Sequence, residues 1–211
     1  MKYKEIAFRN YKHFCSLEGC DYIASEFALE TILKLIKEFN VSNVLELGLG
    51  IGSISDTVFK FAKNSNLTIE YVGTEKNDFC LNALSKNVED YKKIHLFSEL
   101  NEIENKNFEF IIIDGYDNSF NEIEKYCVKN SILYVEGARG VQTKKILDIF
   151  PKSLYVNVIT LKKNPPYAHE GRSVDSYIGG GQLIFTDPTF KMKLFWFKEK
   201  FSTFIKRKLR D

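Results

Sequence analysis

The sequence lacks several features that would assign a chain to a broad class at once. Its 211 residues carry a formal net charge of only +2, which argues against an extensive nucleic-acid-binding surface. No apolar run is as long as a membrane span, and the N-terminal residues do not form the apolar core of a signal peptide. We therefore expect a cytoplasmic protein.

Cysteine and histidine are also scarce, with four and three residues. They form no cluster with the spacing of a zinc site, so we expect reduced and mostly buried cysteines. The sequence shows no internal repeat and no linker between domains, and its length fits one α/β domain. The four cysteines are Cys15, Cys20, Cys80 and Cys127.

The most informative stretch is a short apolar run that breaks into alternate glycines. Val44–Leu47 reads as a buried strand, and Gly48, Gly50 and Gly52 follow it. Helical spacing resumes from Ser53 to Ala62, so the glycine loop connects a strand to a helix. This arrangement is typical of a site for a nucleoside-type ligand at the carboxyl end of a sheet strand.

The details of this loop exclude two common ligand classes. In the dinucleotide fingerprint the third glycine would fall at position 53, which is Ser53, and no lysine follows Gly52 as a Walker loop requires. The loop brings an acid, Glu46, where a phosphate site usually brings a cation. An acid favours a positively charged ligand such as S-adenosylmethionine, and Glu46-x-Gly48-x-Gly50-x-Gly52 resembles the first motif of class I S-adenosylmethionine-dependent methyltransferases.

A second acid strengthens this resemblance. Leu67–Thr74 reads as the next strand, and Glu75 at its end has the position of an acid that accepts hydrogen bonds from both ribose hydroxyls. From about position 41 to 187 the order of elements resembles the class I methyltransferase fold. The resemblance implies an α/β fold with a seven-stranded, mostly parallel, doubly wound sheet, an antiparallel last strand and helices on both faces.

The remaining elements follow from apolar periodicity and turn residues. We expect His95 to lie in the core because it falls inside a predicted strand, and we leave open whether residues 1–23 cover the ligand site. The further predicted helices are Ala24–Phe39, Asp78–Val88, Glu122–Val128 and Val141–Phe150, and the further predicted strands are Lys93–Phe97, Phe108–Ile113, Ser131–Val135, Leu154–Leu161 and Gln182–Thr186.

The resemblance also places residues around a reaction centre. Asp114, after the strand Phe108–Ile113, should face the methyl donor, and Ser98 should lie near the adenine. Asp114 resembles the strand-four acid of the catechol and caffeoyl-CoA type O-methyltransferases, which ligates a divalent cation. Their Asp-Asn pair at the end of strand five reads Glu136-Gly137 here, so a Mg²⁺ site on Asp114 and Glu136 is one expectation and metal-independent catalysis is the other.

Polar residues later in the chain are candidates for contact with the methyl acceptor. His169 lies in a polar loop that can overhang the substrate, where it could act as general base, and Arg139 and Arg172 could grip a carboxylate or phosphate. Tyr167 ends the tetrapeptide Asn164–Tyr167, which resembles the motif that holds a planar amino group in adenine-N6 and glutamine-N5 methyltransferases. Those families carry it after strand four, about fifty residues earlier.

The C-terminal stretch is distinct from the rest, so we divide the chain into a methyltransferase-like domain, residues 1–189 with an N-terminal cap and helix at 1–40, and a basic amphipathic helix, residues 190–211. Aromatic residues recur there at helical spacing among many lysines and arginines. Such a helix is typical of a membrane-surface segment, and the alternative is a helix that docks on its own domain or on a second subunit of a homodimer.

Together these features predict an S-adenosylmethionine-dependent methyltransferase that acts on a hydroxyl of a small molecule, a saccharide or a lipid-linked intermediate. A methyltransferase of RNA or protein is the second interpretation, but it predicts a broad basic surface. A third is a non-catalytic binding subunit that keeps the fold and tethers a complex to a membrane through its tail.

Overall fold

The computed structural model describes residues 2–104, 106–168 and 173–210. These residues form a seven-stranded sheet in the order β3-β2-β1-β4-β5-β7-β6, in which β7 runs antiparallel to both of its neighbours. The predicted doubly wound sheet with an antiparallel last strand is therefore confirmed. The strands are β1 Asn43–Leu47, β2 Glu70–Thr74, β3 Ile94–Phe97, β4 Phe108–Ile113, β5 Cys127–Glu136, β6 Leu154–Ile159 and β7 Gly180–Phe185.

Helices cover both faces of this sheet because its central strands are apolar on both sides. One face packs against the first four helices, and the other against α5 and short 3-10 turns. The strand β4 is buried along almost its whole length, as its continuous apolar sequence predicts. The helices are α1 Tyr3–Phe14, α2 Glu26–Phe39, α3 Ser53–Ser65, α4 Asp78–Asn87, α5 Gly140–Ile149 and α6 Phe190–Arg210.

Three local predictions were wrong. The predicted helix Glu122–Val128 is a 3-10 helix, Phe120–Tyr126, and β5 begins directly after it at Cys127. Phe120, Ile123 and Tyr126 are its buried residues, and their three-residue spacing matches 3.0 residues per turn. His95 is exposed because β3 is an edge strand, and only Cys80 of the four cysteines is fully buried.

The N-terminal residues, whose position the sequence left open, do reach the glycine loop. The helix α1 packs on α2 and α3, and the buried Asn10 donates a hydrogen bond of 2.7 Å to the Thr57 hydroxyl on α3. A 3-10 turn, Cys20–Tyr22, then brings the Tyr22 carbonyl against Gly50. Residues 20–22 therefore form one side of the loop rather than a separate cap.

The C-terminal helix α6 docks along the outer edge of β6, the last strand of the sheet. An edge strand presents unpaired backbone groups, which proteins commonly cover. Here side chains of α6 donate hydrogen bonds to three alternate carbonyls of β6 and to the carbonyl of Thr160 just beyond it, so the edge is covered. The bonds are Trp196 to Tyr155 (2.7 Å), Thr203 to Asn157 (2.7 Å), Lys206 to Ile159 (2.8 Å) and Arg210 to Thr160 (3.0 Å).

No helix among the described residues combines the length and apolar character that crossing a bilayer requires. The C-terminal helix is long enough at 21 residues, but its many lysines and arginines exclude it.

Two glycines allow the ends of β1 and β4 to touch. A Cβ atom on Gly115 would lie 2.7 Å from the Gly48 Cα atom, and one on Gly48 would lie 2.6 Å from the Gly115 Cα atom. Gly48 also has a φ of +86°, which L residues rarely adopt. The loops after these strands can approach so closely only because both positions lack side chains.

We expect Gly115→Ala to lower the free energy of unfolding by about 1–3 kcal/mol, because the added methyl group forces two backbone segments apart. Gly140→Ala is the matched control, since a Cβ atom there meets nothing within 4 Å and Gly140 starts a helix. Urea denaturation of both variants measures the difference. Equal midpoints would contradict the proposed backbone contact.

Candidate active site

A cleft of about 590 Å³ lies at the carboxyl ends of β1, β2 and β4. The strand order reverses between β1 and β4, and such a switch point is where open α/β sheets bind ligands. The volume is in the usual range for a small-molecule site. Six of the predicted site residues line this cleft, namely Gly48, Gly50, Glu75, Ser98, Asp114 and Arg139.

All backbone amides of the glycine loop, residues 48–52, donate hydrogen bonds to acceptors within the protein. The amides of Gly48 and Leu49 both donate to the Thr74 carbonyl at 3.0 Å. The amide of Gly50 donates to the Glu75 carboxylate, that of Ile51 to the Tyr22 carbonyl, and that of Gly52 to the Leu49 carbonyl. A loop that cradles a phosphate offers free amides to it, so this loop is not built as a phosphate site.

Gly50 and Gly52 are required by the packing of the chain around the loop. A Cβ atom on Gly50 would lie 2.3 Å from the Tyr22 carbonyl oxygen, and one on Gly52 would lie 2.3 Å from the Val88 side chain. The sequence predicts a nucleoside-type ligand at this loop, but other parts of the chain already occupy the spaces beside Gly50 and Gly52. Gly48 and Gly50 still line the cleft, whereas Gly52 caps α3 outside the cleft lining.

Glu75 lies where it was predicted, at the tip of β2, and is already strongly engaged. One oxygen accepts the amides of Lys76 and Asn77, each at 2.9 Å, and the other accepts the amide of Gly50 at 2.7 Å. A carboxylate oxygen has two lone pairs, so one acceptor position remains. In this arrangement Glu75 can accept one ligand hydroxyl, not both as expected.

Glu46 does not line the cleft but lies buried in the sheet beside it. One oxygen accepts a hydrogen bond from the Tyr71 hydroxyl, and the other has no hydrogen-bond partner among the described residues. Burial raises the pKa of the Glu46 carboxyl well above its usual range, and the nearby charges of Asp114 and Glu75 raise it further. An unpartnered buried carboxyl oxygen is costly unless a bound water or ligand supplies its donor.

Asp114 and Arg139 form an ion pair at the edge of the cleft. The Arg139 guanidinium lies 3.1 Å from the Asp114 carboxylate and also donates to the Asp114 carbonyl and, at 3.1 Å, to that of Glu136. Both side chains are about one-fifth exposed. We expected Arg139 to grip the acceptor, but most of its donors hold the tips of β4 and β5 together.

The residues present do not fit the predicted divalent-cation site. Glu136 is turned toward the start of α2, where one of its oxygens accepts a hydrogen bond of 3.0 Å from the Ser25 hydroxyl. Asp114 is paired with Arg139, and the positive charge of this guanidinium beside the carboxylate opposes the binding of a metal cation. The described part of the chain contains no group of three or more acidic, histidine or cysteine side chains that could hold a metal.

The other predicted site residues are dispersed. Ser98 lines the cleft beyond β3, and its amide donates to Glu102. Tyr167 packs against Tyr11, with ring centroids 6.4 Å apart, and is absent from the cleft lining, so the structure does not place it on the acceptor. The predicted residues His169 and Arg172 lie outside the described residues.

The sequence missed two residues that shape the cleft. Tyr22 contributes through its backbone carbonyl, which no side-chain pattern reveals. Tyr116 lies at the rim with 78% of its surface exposed and its ring 5.4 Å from the Arg139 guanidinium. An aromatic residue directly after the Asp114-Gly115 turn was the available signal for Tyr116.

The cleft fits S-adenosylmethionine better than a phosphorylated nucleotide. Two carboxylates, Glu75 and Asp114, line the cleft beside the glycine loop, and the loop has no free amide for a phosphate. A sulfonium and an amino group are the charges that such surroundings favour. The fit therefore depends on donors and charge rather than on open space beside the glycines.

Comparison with known proteins agrees with this fold. No family model matches the sequence, and no curated protein is significantly similar to it. Solved methyltransferase structures superpose on 86–88% of the chain. The O-methyltransferase from Bacillus cereus in complex with SAH has a TM-score of 0.60 at 10% identity with 90% of its chain covered, and the O-methyltransferase TomG from Streptomyces achromogenes in complex with SAM has 0.56 at 12% and 90%.

A putative RNA methyltransferase from Pyrococcus horikoshii is similar to the same extent, with a TM-score of 0.58 at 15% identity and 98% of its chain covered. Methyltransferases named for different acceptors thus share this fold with the chain. At such low identity the likeness shows the class I methyltransferase fold and leaves the acceptor to be argued from the site.

Glu46 makes the stability of the fold depend on pH. Below about pH 4.5 the carboxyl is protonated in the unfolded and folded chains alike. Above that pH the unfolded chain loses the proton while the folded chain keeps it, because burial raises the pKa, so Glu46 lowers stability increasingly as the pH rises. We expect Glu46→Gln to gain stability relative to the wild type between pH 4.5 and 8.

Denaturation by urea across this pH range measures the effect. Glu124→Gln removes an exposed carboxylate and should show no such trend. A stability difference between Glu46→Gln and the wild type that stays constant with pH would contradict a raised Glu46 pKa.

We expect millimolar Mg²⁺ to change the melting temperature by less than about 1 °C, because ligands that bind the native state raise it by mass action and the described residues offer no metal site. EDTA should have no effect either. Thermal melts with and without each reagent measure this. A saturable stabilisation by Mg²⁺ that Asp114→Asn abolishes would contradict this prediction and support a metal site at Asp114.

Proposed function

We propose that this chain, which has the fold of class I methyltransferases, is an S-adenosylmethionine-dependent methyltransferase that transfers the methyl group to a hydroxyl of a small molecule. The observation that carries the proposal is the glycine loop, whose amides are all bonded within the protein while carboxylates surround it. Such a site disfavours phosphates and favours a cationic nucleoside. Two of the superposed structures are O-methyltransferases by name, which supports the class of acceptor.

The cofactor would be held by residues from three neighbouring strand ends. Glu75 would accept a ribose hydroxyl at its remaining lone pair, and Ser98 would lie near the adenine. Glu46, buried outside the cleft, would reach the cationic end only through a bound water at its unpartnered oxygen. When bound, the cofactor supplies a methyl group on a sulfonium, which a nucleophile can displace.

The chain's part in the reaction would be mainly to position the acceptor. Displacement requires the acceptor oxygen in line with the methyl group at roughly 3 Å, and a hydroxyl must lose its proton. Asp114 lies at the cleft beside the loop, and Arg139 holds it in place. We assign to Asp114 the orientation of the acceptor hydroxyl and the acceptance of its proton.

Features of the cleft favour a small acceptor. Tyr116 at the rim offers an exposed ring on which a sugar or aromatic ring can stack. The lining contains the acids Asp21, Glu75 and Asp114 against the cations Lys76 and Arg139, which disfavours a polyanion such as RNA. A saccharide or lipid-linked intermediate fits these features.

A cytoplasmic location is part of the proposal. None of the four cysteines forms a disulfide, and burial raises the pKa of the Cys80 thiol to about 11 and that of Cys127 to about 12. Thiols of this kind are inert and compatible with a reducing compartment.

We expect isothermal calorimetry to detect binding of S-adenosylmethionine in the micromolar range and no binding of NAD or ATP at the same concentrations. Glu75→Ala should weaken the affinity at least tenfold, because it removes a hydrogen bond from the ligand to a carboxylate, worth about 1.5–3 kcal/mol. Glu70→Ala, at the opposite end of the same strand and paired with Lys106, is the control.

Tighter binding of NAD or ATP would refute the assignment of the cofactor. Binding of S-adenosylmethionine without methyl transfer to any fraction of a cell extract would instead support the non-catalytic binding subunit. The labelled methyl group of the cofactor provides the readout.

A further inference from the structure

The helix α6 has two opposite faces with different roles. The face toward the sheet carries the side chains that pack on the core or bond to β6, among them Met192, Trp196 and Thr203. Because a helix makes one turn every 3.6 residues, the residues at the intervening positions lie on the opposite face. This outer stripe is apolar and exposed, and consists of Phe190, Leu194, Phe197, Phe201, Phe204, Ile205 and Leu209, each between 42% and 76% exposed.

The exposure of this stripe has no explanation in the fold of the chain. Single exposed apolar residues are normal, but a continuous row of seven, four of them phenylalanine, marks a binding surface. A helix of 21 residues is about 30 Å long, so the stripe extends along a large part of the molecule. The hydrogen bonds to β6 hold the helix with this stripe facing outward.

Positive charge lies on both sides of the stripe. On the helical wheel Lys193, Lys200 and Arg207 follow one border and Lys198 the other, while Lys208 lies within the stripe. These five side chains are exposed and take part in no ion pair among the described residues. The single acid within α6, Glu199, points inward and bonds to Lys34 at 2.5 Å.

We propose that the outer face of α6 is a docking surface for an anionic lipid bilayer, with the helix in the plane of the headgroups. An apolar stripe bordered by cations matches acyl chains beneath negatively charged headgroups. A second copy of the chain is a poorer occupant, since pairing two such faces brings five cations against five. Nucleic acid would use the cations but leave the phenylalanines in water.

The orientation of α6 links this surface to the cleft. Later residues of the helix bond to later residues of β6, so both run in the same direction. Strands β5 and β6 are both antiparallel to β7 and therefore run parallel to each other. The strand β6 thus ends at the same end of the sheet as β5, where the cleft lies. Bilayer contact along α6 thus brings the lipid surface to the flank of the protein, and the C-terminal end of the helix lies at the same end of the sheet as the cleft.

Vesicle co-sedimentation of the full chain tests the proposal. We expect binding to vesicles of phosphatidylcholine mixed with phosphatidylglycerol, at least tenfold weaker binding to phosphatidylcholine alone, and weakening by salt. The double variant Phe197→Ser, Phe201→Ser and the triple variant Lys193→Gln, Lys200→Gln, Arg207→Gln should each lose at least tenfold in affinity. These residues are exposed, and circular dichroism and the affinity for S-adenosylmethionine confirm that the variants are folded.

A matched control keeps the number of lost charges constant. The triple variant Lys86→Gln, Lys92→Gln, Lys144→Gln removes three exposed lysines outside α6 and should bind vesicles within twofold of the wild type. Point variants are preferable to deletion of the helix, because deletion would uncover the carbonyls of β6.

Three results would overturn the proposal. One is a lack of binding to the anionic vesicles. Another is a dimer in sedimentation velocity that the phenylalanine variant dissociates while vesicle binding is unchanged, which would assign the surface to a second copy. The third is binding to transfer RNA that only the lysine variant weakens, with no binding to vesicles.

Discussion

The hydrogen bonds that the glycine loop makes within the protein are the constraint on which the site depends. Thr74 on β2 receives two of its amides, Glu75 one, and the Tyr22 carbonyl another. These bonds join the first strand, the second strand and the N-terminal turn into one rigid support at the switch point of the sheet. They also leave the cleft with few donors and a surplus of carboxylates, and this balance of polar groups selects the charge of the ligand.

The sequence predicted the fold well because its main signals are local. The apolar run of β4 and the glycines after β1 each specify backbone geometry within a few residues. It misjudged positions whose environment depends on distant neighbours. His95 looked buried by its strand pattern, yet β3 has a neighbour on one side only, and the helix predicted over Glu122–Val128 tightened to a 3-10 turn.

For the candidate site the sequence predicted location better than role. Glu75 and Asp114 lie at the cleft as expected, because strand ends can be read from the sequence. Which partners their carboxylates take could not be read, since Arg139 and the amides of Gly50, Lys76 and Asn77 come from separate turns. Glu46 shows the same limit. Its position in β1 was clear from the sequence, but the alternation of side chains along the strand directs its carboxyl into the protein interior, toward Tyr71.

The position of β7 between β5 and β6 has a consequence for biosynthesis. Strand β6 is synthesised before its sheet partner β7, and α6, which covers its other side, follows both. About fifty residues separate the end of β6 from the end of α6, which corresponds to roughly 3–10 s of translation. Until β7 and then α6 have been synthesised, β6 lacks the neighbours that cover its two sides, so the need of the nascent chain for chaperones is concentrated in this interval.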